Sequence, residues 1–225
     1  MMRSLNRVVI TGAARGLGLA LVREFSAHGW IATGIARSER PDDYPDGTAY
    51  VQMDAADLVA CKRLWSELAA ETPGGLDGVV LINNAGLYIR SKFRETAPEQ
   101  FEASIRANYL SGVHMTRTLV DIAAQARILN IISTSAQQAR GTNSAYGSAK
   151  AGMAQFFRSM QQEFAPSTYR ITNLYPGTLR THGEGPEIDA IEPEDLSVFI
   201  RELVEPKLSF YIAEATILPR GPAKG

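Results

Sequence analysis

The stretch Thr11-Gly12-Ala13-Ala14-Arg15-Gly16-Leu17-Gly18 joins an apolar run to a helical pattern. The run before it, Arg7–Thr11, is β-branched and stops at Gly12, as a buried strand does. Glycines allow a sharp turn, and a helix N-terminus offers N–H groups and partial positive charge to a phosphate. The stretch therefore predicts a cradle for the pyrophosphate of a dinucleotide, although a glycine-rich turn without a ligand is the alternative. The residues of this predicted cradle are Gly12, Ala14, Arg15, Gly16, Leu17 and Gly18.

Strands and helices alternate along the rest of the chain. The predicted strands are Arg7–Thr11, Trp30–Ala36, Ala49–Met53, Gly78–Ile82, Arg127–Ser133, Tyr169–Tyr175 and Leu208–Ile217. The predicted helices are Gly16–Ala27, Ala55–Glu71, Pro98–Ala124, Ser144–Phe164 and Pro193–Leu203. This order predicts an α/β fold, a single-domain Rossmann-type doubly wound parallel sheet of about seven strands with helices on both faces. We expect one domain over residues 1–225, with a short substrate loop at about 181–193.

The composition limits the function. Of 225 residues, 45% are hydrophobic and 21% charged, and the net charge is −1, so no bulk field attracts nucleic acid or an anionic membrane. We expect no membrane span, because no apolar run is long enough, and the single cysteine, Cys61, fits a reducing compartment. The three histidines, His28, His114 and His182, lack metal-ligand spacing. We therefore expect a cytoplasmic protein without a metal site.

A tyrosine and a lysine four residues apart form a candidate acid–base pair. Tyr146 and Lys150 lie in a predicted helix, where residues at this spacing share a face. A neighbouring cation favours the phenolate and so lowers the pKa of the phenol, which is about 10 in a free tyrosine. This would bring proton exchange nearer to the working pH of a general acid–base catalyst. The alternative is a surface tyrosine and a solvated lysine.

The end of the second strand carries the cofactor preference. Enzymes that use NAD usually place an acidic residue there, whereas this chain has Ala36-Arg37-Ser38. Together with Arg15, Arg37 could hold a 2′-phosphate. The sequence therefore favours NADP(H) over NAD(H), with two solvated surface arginines as the alternative.

Taken together, these motifs resemble the short-chain dehydrogenase/reductase family over about residues 5–181. The glycine motif has the family's Thr-Gly-x-x-x-Gly-x-Gly spacing, Asn83-Asn84-Ala85-Gly86 matches its Asn-Asn-Ala-Gly, and Tyr146 with Lys150 matches its Tyr-x-x-x-Lys. Ser133 precedes Tyr146 by thirteen residues, Asn108 matches the helix asparagine of the tetrad, and residues 176–181 resemble the Pro-Gly motif.

The resemblance implies an oxidoreductase of carbonyl or alcohol substrates with catalytic residues Asn108, Ser133, Tyr146 and Lys150. Tyr146 would exchange the proton, Ser133 would stabilise charge on the carbonyl oxygen, Lys150 would hold the nicotinamide ribose, and Asn108 would position a water. Ser135 is the alternative serine, and Asn108 could simply bend its helix. Further cofactor contacts would come from Asp54, Ala55, Asn83, Ala85, Gly86, Pro176, Gly177, Leu179 and Thr181. Asp54 would contact the adenine ring, or is an ordinary turn residue.

The family likeness also implies a homodimer or homotetramer, through the helix around residues 101–119 and the Tyr146 helix. The segment His182–Glu192 is shorter than the helical lid of many members, and the chain lacks the common Asp-Gly-Gly ending. Leu87, Tyr88, Gln137, Gln138 and His182 are candidates to line the substrate pocket, and Arg90, Arg140 and Arg180 could attract an acid group. A non-catalytic dinucleotide sensor or scaffold on the same fold is the alternative function.

Overall fold

A parallel sheet runs through the centre of the molecule. The computed structural model describes residues 6–181, 189–205 and 209–221. Within those residues seven strands pair in the order β3-β2-β1-β4-β5-β6-β7, and every pair is parallel. The strands are β1 (Arg7–Thr11), β2 (Ile31–Ala36), β3 (Ala49–Gln52), β4 (Val79–Asn83), β5 (Ala126–Ile131), β6 (Tyr169–Pro176) and β7 (Glu214–Ile217). The predicted fold class is confirmed.

Helices cover both faces of the sheet. They are α1 (Gly16–Ala27), α2 (Leu58–Glu71), α3 (Pro98–Ile105), α4 (Ser111–Val120), α5 (Ser144–Glu163) and α6 (Pro193–Val204) in the described part of the chain. One apolar core joins a sheet face to α2, α4 and α5, and contains Trp65, Met115 and Phe157. The other joins the opposite face to α1 and α6 through Phe25 and Ile200. This three-layer packing explains why the central strands read as continuous apolar runs.

The strand order reverses at β1. The chain moves from β1 outward to β2 and β3, and then returns to pair β4 with the other side of β1. The loops after β1 and β4 therefore leave the same sheet edge in opposite directions and open a crevice there. This crevice brings the glycine stretch and the Asn83–Gly86 segment together.

Three elements differ from the sequence prediction by more than two residues at a boundary. The helix expected from Ala55 begins at Leu58, because the Asp57 carboxylate accepts hydrogen bonds from the N–H groups of Val59 (2.9 Å) and Ala60 (3.2 Å) and caps it. The helix expected over Pro98–Ala124 is wrong as one α-helix. It divides into α3, a π-helical segment (Arg106–Leu110) and α4, which ends at Val120.

The last strand is shorter than expected. It covers Glu214–Ile217, and the predicted start at Leu208 lies outside the described residues. The same holds for residues 182–188 of the predicted substrate loop, His182 included. None of the helices described is long and apolar enough to cross a bilayer.

Candidate functional site

The glycine stretch turns tightly between β1 and α1. Gly12 and Gly16 have φ angles of 69° and 53°, in the left-handed region that favours glycine. A Cβ on Gly18 would lie 2.1 Å from the Gly12 carbonyl oxygen, so the helix start can pack against the turn only without a side chain there. The three glycines of the motif are therefore required by backbone conformation and by close approach.

Two residues that the sequence analysis did not single out hold this turn in place. The Thr11 hydroxyl accepts hydrogen bonds from the N–H groups of Asn84 (3.0 Å) and Ala85 (2.9 Å). The Asn84 amide donates to the carbonyl oxygens of Thr11 (2.9 Å) and Gly12 (3.3 Å). Both lie within the quoted motifs, but their partnership spans more than 70 positions and has no local sequence signal.

The mouth of the turn fits an anionic group. Helix α1 starts without a side-chain cap and without an acidic residue in its first turn, so its leading N–H groups and partial positive charge face the crevice. Ala14 is half-buried and Arg15 is exposed at this start. A Cβ on Gly16 would lie 3.1 Å from the Thr181 methyl group, which places the end of the Pro176–Thr181 segment against the cradle. These residues fit a dinucleotide pyrophosphate.

The predicted adenosine side is formed by the loops after β2 and β3. Arg37 is exposed, and its carbonyl oxygen accepts a hydrogen bond from the Gln52 side chain (3.1 Å). Asp54 forms an ion pair with Arg106 (3.0 Å) and accepts a hydrogen bond from the Ala56 N–H (2.9 Å). Ala55 is buried beside it. The structure thus places Asp54 in a capping turn tied to the π-helical segment.

Tyr146 and Ser133 lie together at the carboxyl end of β5. Tyr146 is in the first turn of α5, and Ser133 follows β5 by two residues. The Ser133 hydroxyl interacts with the phenol, whereas the Ser135 hydroxyl accepts a hydrogen bond from Asn143 (3.0 Å). The ring of Tyr88 packs edge-to-face on that of Tyr146, with centroids 5.0 Å apart. The geometry therefore favours Ser133 over Ser135 as the partner of Tyr146.

Burial controls the acidity of this phenol. The pKa of Tyr146 is raised, because loss of water outweighs the lowering effect of the Ser133 hydroxyl, and the Tyr88 phenol raises it further. The sequence analysis expected Lys150 to lower this pKa, whereas the net shift is upward, because desolvation, a tertiary effect, is its largest cause.

Lys150 is buried one helical turn beyond Tyr146. It is 2% exposed, and its ammonium donates a hydrogen bond to the Ile131 carbonyl oxygen (2.7 Å) at the end of β5. Burial lowers its pKa to about 8. A Cβ on Gly86 would lie 3.6 Å from this Nζ and 2.9 Å from the Asn108 Oδ1. Lys150, Asn108 and the loop after β4 therefore converge, and Gly86 keeps the space between them open.

Asn108 is fully buried in the π-helical segment. Its Oδ1 accepts from the Leu87 N–H (3.0 Å), and its Nδ2 donates to the Leu87 carbonyl (2.9 Å) and the Ser104 hydroxyl (3.1 Å). Widened helical turns of this kind often occur at functional sites. Here the widened turn brings the Asn108 amide onto the loop after β4, so Asn108 fixes that loop next to Tyr88.

The remaining predicted residues lie around this centre with structural partners of their own. Asn83 is buried at the end of β4, and its Nδ2 donates to Thr116 (3.1 Å). The Gly177 N–H donates to the Ile217 carbonyl (2.8 Å), so Pro176 and Gly177 are joined to β7. Leu179 forms a bridge with Ile191.

The candidate pocket residues divide into two sets. Leu87 and Tyr88 lie on the loop that Asn108 fixes, whereas Gln137 exchanges hydrogen bonds with Thr216 on β7 (3.1 and 3.2 Å). Arg180 forms an ion pair with Glu192 (2.6 Å). Of these candidates, Tyr88, Arg90, Gln137, Gln138 and Arg140 are exposed.

A Rossmann-type sheet with a glycine turn at its reversal point and a Tyr–Ser–Lys group beside it defines a class of dinucleotide-binding fold. Comparison with known proteins identifies the family, because a family model described as short chain dehydrogenase matches residues 6–190. The chain belongs to the short-chain dehydrogenase/reductase family of oxidoreductases.

Individual relatives agree with this assignment. The NADP-dependent 3-hydroxy acid dehydrogenase YdfG of Shigella flexneri is 31% identical over 180 residues, which cover 76% of this chain and 71% of that protein. The sulfoacetaldehyde reductase of Chromohalobacter salexigens is 28% identical over 222 residues, covering 92% and 87%. A short-chain dehydrogenase/reductase structure from Vibrio parahaemolyticus superposes with a TM-score of 0.81 at 25% identity, covering 96% and 97%.

Proposed function

We propose that this protein is an NADP(H)-dependent oxidoreductase that transfers hydride between nicotinamide and a carbonyl or alcohol substrate, with Tyr146 as general acid and base. One observation carries the proposal. The Tyr146 phenol lies against the Ser133 hydroxyl, with the Lys150 ammonium buried on the same helix. The Tyr146 ring is half-buried and packs edge-to-face on the exposed Tyr88, so the phenol is partly shielded from water yet open to an entering substrate carbonyl.

Each group has a chemical task in the reduction direction. A bound reduced nicotinamide supplies the hydride. Tyr146, whose raised pKa keeps it protonated near neutrality, donates its proton to the carbonyl oxygen as negative charge develops there. The Ser133 hydroxyl donates a hydrogen bond to the same oxygen and stabilises that charge. Lys150 is cationic below about pH 8 and favours the phenolate left after proton transfer.

The preference for NADP(H) rests on Arg15 and Arg37. Both are exposed, Arg15 in the turn after β1 and Arg37 directly after β2, and no carboxylate follows β2 before Glu39. A guanidinium holds phosphate oxygens well, and the missing carboxylate removes a repulsive partner. The relative from Shigella flexneri is NADP-dependent by name, which supports the same preference.

The relatives suggest which substrates to test first. Their names specify 3-hydroxy acids and sulfoacetaldehyde, both small molecules with an acid group. Arg90 and Arg140 are on neighbouring loops, joined by the hydrogen bond from the Ser91 N–H to the Thr142 carbonyl (2.8 Å). These arginines are candidates to attract an acid group to the mouth of the site.

The test measures the oxidation of NADPH, monitored by its absorbance, in the presence of each compound of a carbonyl panel. The same assays are run with NADH. The panel contains 3-oxo acids, sulfoacetaldehyde and neutral aldehydes and ketones of similar size. We expect turnover with NADPH, less with NADH, and almost none in Tyr146→Phe. Tyr109→Phe, which removes a hydroxyl from a tyrosine packed on Phe156, is the matched control. Tight NADPH binding without turnover of any compound would instead favour the sensor alternative.

A further inference from the structure

Four polar side chains lie in one row across the apolar layer beneath α4 and α5. Asn83, Asn130, Asn173 and Glu214 occupy consecutive register positions on β4, β5, β6 and β7. The three asparagines are at most 2% exposed. Each bonds to the next, from Asn83 Nδ2 to Asn130 Oδ1 (2.9 Å), from Asn130 Nδ2 to Asn173 Oδ1 (2.9 Å), and from Asn173 Nδ2 to Glu214 Oε1 (3.2 Å). We call these four side chains the amide row.

The direction of the row follows from the chemistry of its last member. An ionised carboxylate only accepts hydrogen bonds, so Asn173 must turn its NH₂ group towards Glu214 and its oxygen towards Asn130. Asn130 must then turn its own NH₂ group towards Asn173, and Asn83 towards Asn130. All three amides therefore donate towards the sheet edge, and their dipoles point at the negative charge.

Glu214 is held in its ionised form at that edge. It accepts two hydrogen bonds from the Arg158 guanidinium (2.8 and 3.0 Å) and one from the Tyr175 hydroxyl (2.8 Å). Burial by itself would raise the pKa of this carboxyl, but the hydrogen bonds from Arg158, Asn173 and Tyr175 together outweigh it, so the pKa is lowered. The negative charge that orients the row is therefore that of Glu214, and it is stabilised by Arg158 on α5 and by the buried Tyr175 on β6.

The other end of the row reaches the candidate active site. Asn83 is the last residue of β4, and Asn84, which follows it, bonds the glycine turn. The Asn83 NH₂ group is used by Asn130 and by Thr116, and its Oδ1 is buried without a partner among the described residues. A buried amide group that loses a hydrogen-bond partner destabilises the protein. Reversal of the row would therefore disturb the contacts of Asn83 with Asn130 and Thr116.

We propose that Glu214 is a positioning residue: its carboxylate, three strand spacings (about 14 Å) from Asn83, fixes the direction of the amide row and thereby the orientation of the Asn83 side chain at the cofactor crevice. Asn173 and Asn130 transmit this orientation. The functional consequence rests on the proposed function, since it concerns binding of NADPH in that crevice. The orientation itself does not depend on any activity.

The test compares Glu214→Gln with Arg158→Gln. A glutamine at position 214 can present either its oxygen or its NH₂ group to Asn173, so the row can reverse, whereas Arg158→Gln removes the ion pair and keeps the carboxylate. The primary measurement is the side-chain amide NMR signals of Asn83, assigned by their loss in Asn83→Thr. We expect these signals to shift or split in Glu214→Gln and to stay unchanged in Arg158→Gln. Unchanged Asn83 signals in a folded Glu214→Gln protein would overturn the proposal.

The second measurement is the Kd for NADPH. We expect Glu214→Gln to weaken binding about fivefold, the factor that about 1 kcal/mol corresponds to, and Arg158→Gln to leave it within twofold. Asn173→Leu breaks the row in the middle. A protein that carries both Glu214→Gln and Asn173→Leu should bind NADPH no more weakly than the weaker of the two single variants. Additive losses would contradict transmission through the row. If Glu214→Gln fails to fold, the Asn83 amide signals in Asn173→Leu test the positioning proposal instead. If the wild-type protein reduces no carbonyl compound, only the proposed function is contradicted.

Discussion

The burial of Lys150 has a consequence for stability that can be measured without a substrate. Its ammonium is 2% exposed and bonded to the Ile131 carbonyl oxygen, and its pKa is about 8 against an ordinary value of 10.5. Between these two values the unfolded chain binds a proton that the folded protein does not. Stability therefore rises with pH in this window, by up to about 1.4 kcal/mol per pH unit.

We predict that the free energy of unfolding of the wild type gains about 2 kcal/mol relative to Lys150→Met between pH 7.5 and 9.5. Urea unfolding of both proteins at the two pH values measures this difference. Lys62→Met, which changes an exposed lysine on α2, is the control and should show no such pH dependence. A constant difference between wild type and Lys150→Met would show that Lys150 titrates normally.

The proposed preference for NADP(H), which rests on Arg15 and Arg37, is also tested at the residue scale. We predict that Arg37→Gln and Arg15→Gln each raise KM for NADPH at least tenfold and change KM for NADH less than threefold, since a charge-assisted hydrogen bond contributes about 1.5–3 kcal/mol. Steady-state kinetics with both cofactors measure this.

Arg40→Gln is the matched control for the arginine variants. Arg40 is close in sequence, but its guanidinium donates to the carbonyl oxygens of Tyr44 and Pro45 (both 3.4 Å) and packs over the Tyr44 ring. Its substitution should leave the ratio of the two KM values unchanged. Equal losses with NADPH and NADH in Arg37→Gln would argue against a 2′-phosphate contact.

At the scale of elements, the start of α1 depends on the absence of a side chain at Gly18. We predict that Gly18→Ala abolishes detectable NADPH binding and lowers the melting temperature, because the new Cβ would lie 2.1 Å from the Gly12 carbonyl oxygen and 2.7 Å from the Asn84 amide. Thermal unfolding with and without NADPH measures both effects.

Gly152→Ala gives the comparison within a helix. Its Cβ would lie 3.7 Å from the Tyr109 ring, an ordinary contact, and alanine favours a helix over glycine by about 1 kcal/mol. It should keep NADPH binding and raise the melting temperature slightly. If Gly18→Ala and Gly152→Ala have the same effects on NADPH binding and on the melting temperature, the close packing at Gly18 is not needed for the glycine turn.

Local sequence patterns predicted an element well where its conformation depends only on neighbouring residues. The β-branched run of Arg7–Thr11 and the glycine spacing after it specify a strand, a turn and a helix without tertiary information. The π-helical segment could not be predicted, because it is stabilised by the bonds of Asn108 to Leu87, 21 positions away. The start of α2 was misplaced because apolar Ala55 and Ala56 continue the helical pattern, whereas the cap is Asp57.

Side-chain partners across the sheet could not be predicted from the sequence, because they too are distant along the chain. The bonds between Thr11 and Asn84, and the amide row, depend on strand order and register, which no single segment encodes. The upward shift of the pKa of Tyr146 was not predicted, because the spacing in the sequence indicates a neighbouring lysine but does not indicate burial. The roles of the site residues stay predictions until they are tested.

At the scale of the whole molecule, we expect the protein to form a homo-oligomer. Helices α3 and α5 pack on each other, and the side chains of Phe93, five residues before α3, and Ile105, its last residue, are exposed (69% and 47%). We predict a homodimer or homotetramer, with a mass two or four times the 24.5 kDa of one chain. Light scattering after size exclusion measures the mass, and Ile105→Arg should reduce it if this surface is the interface. A 24.5 kDa particle at micromolar concentration would contradict the expectation.

The central claim is that the Tyr146 hydroxyl exchanges the proton in a carbonyl–alcohol reaction. Its most direct test is kcat/KM of Tyr146→Phe for the best substrate of the carbonyl panel, measured beside the Kd for NADPH. We predict a loss of at least about a hundredfold in kcat/KM, the contribution typical of a general acid, with the Kd for NADPH changed less than threefold. A Tyr146→Phe protein that reduces the substrate as fast as the wild type would contradict the account.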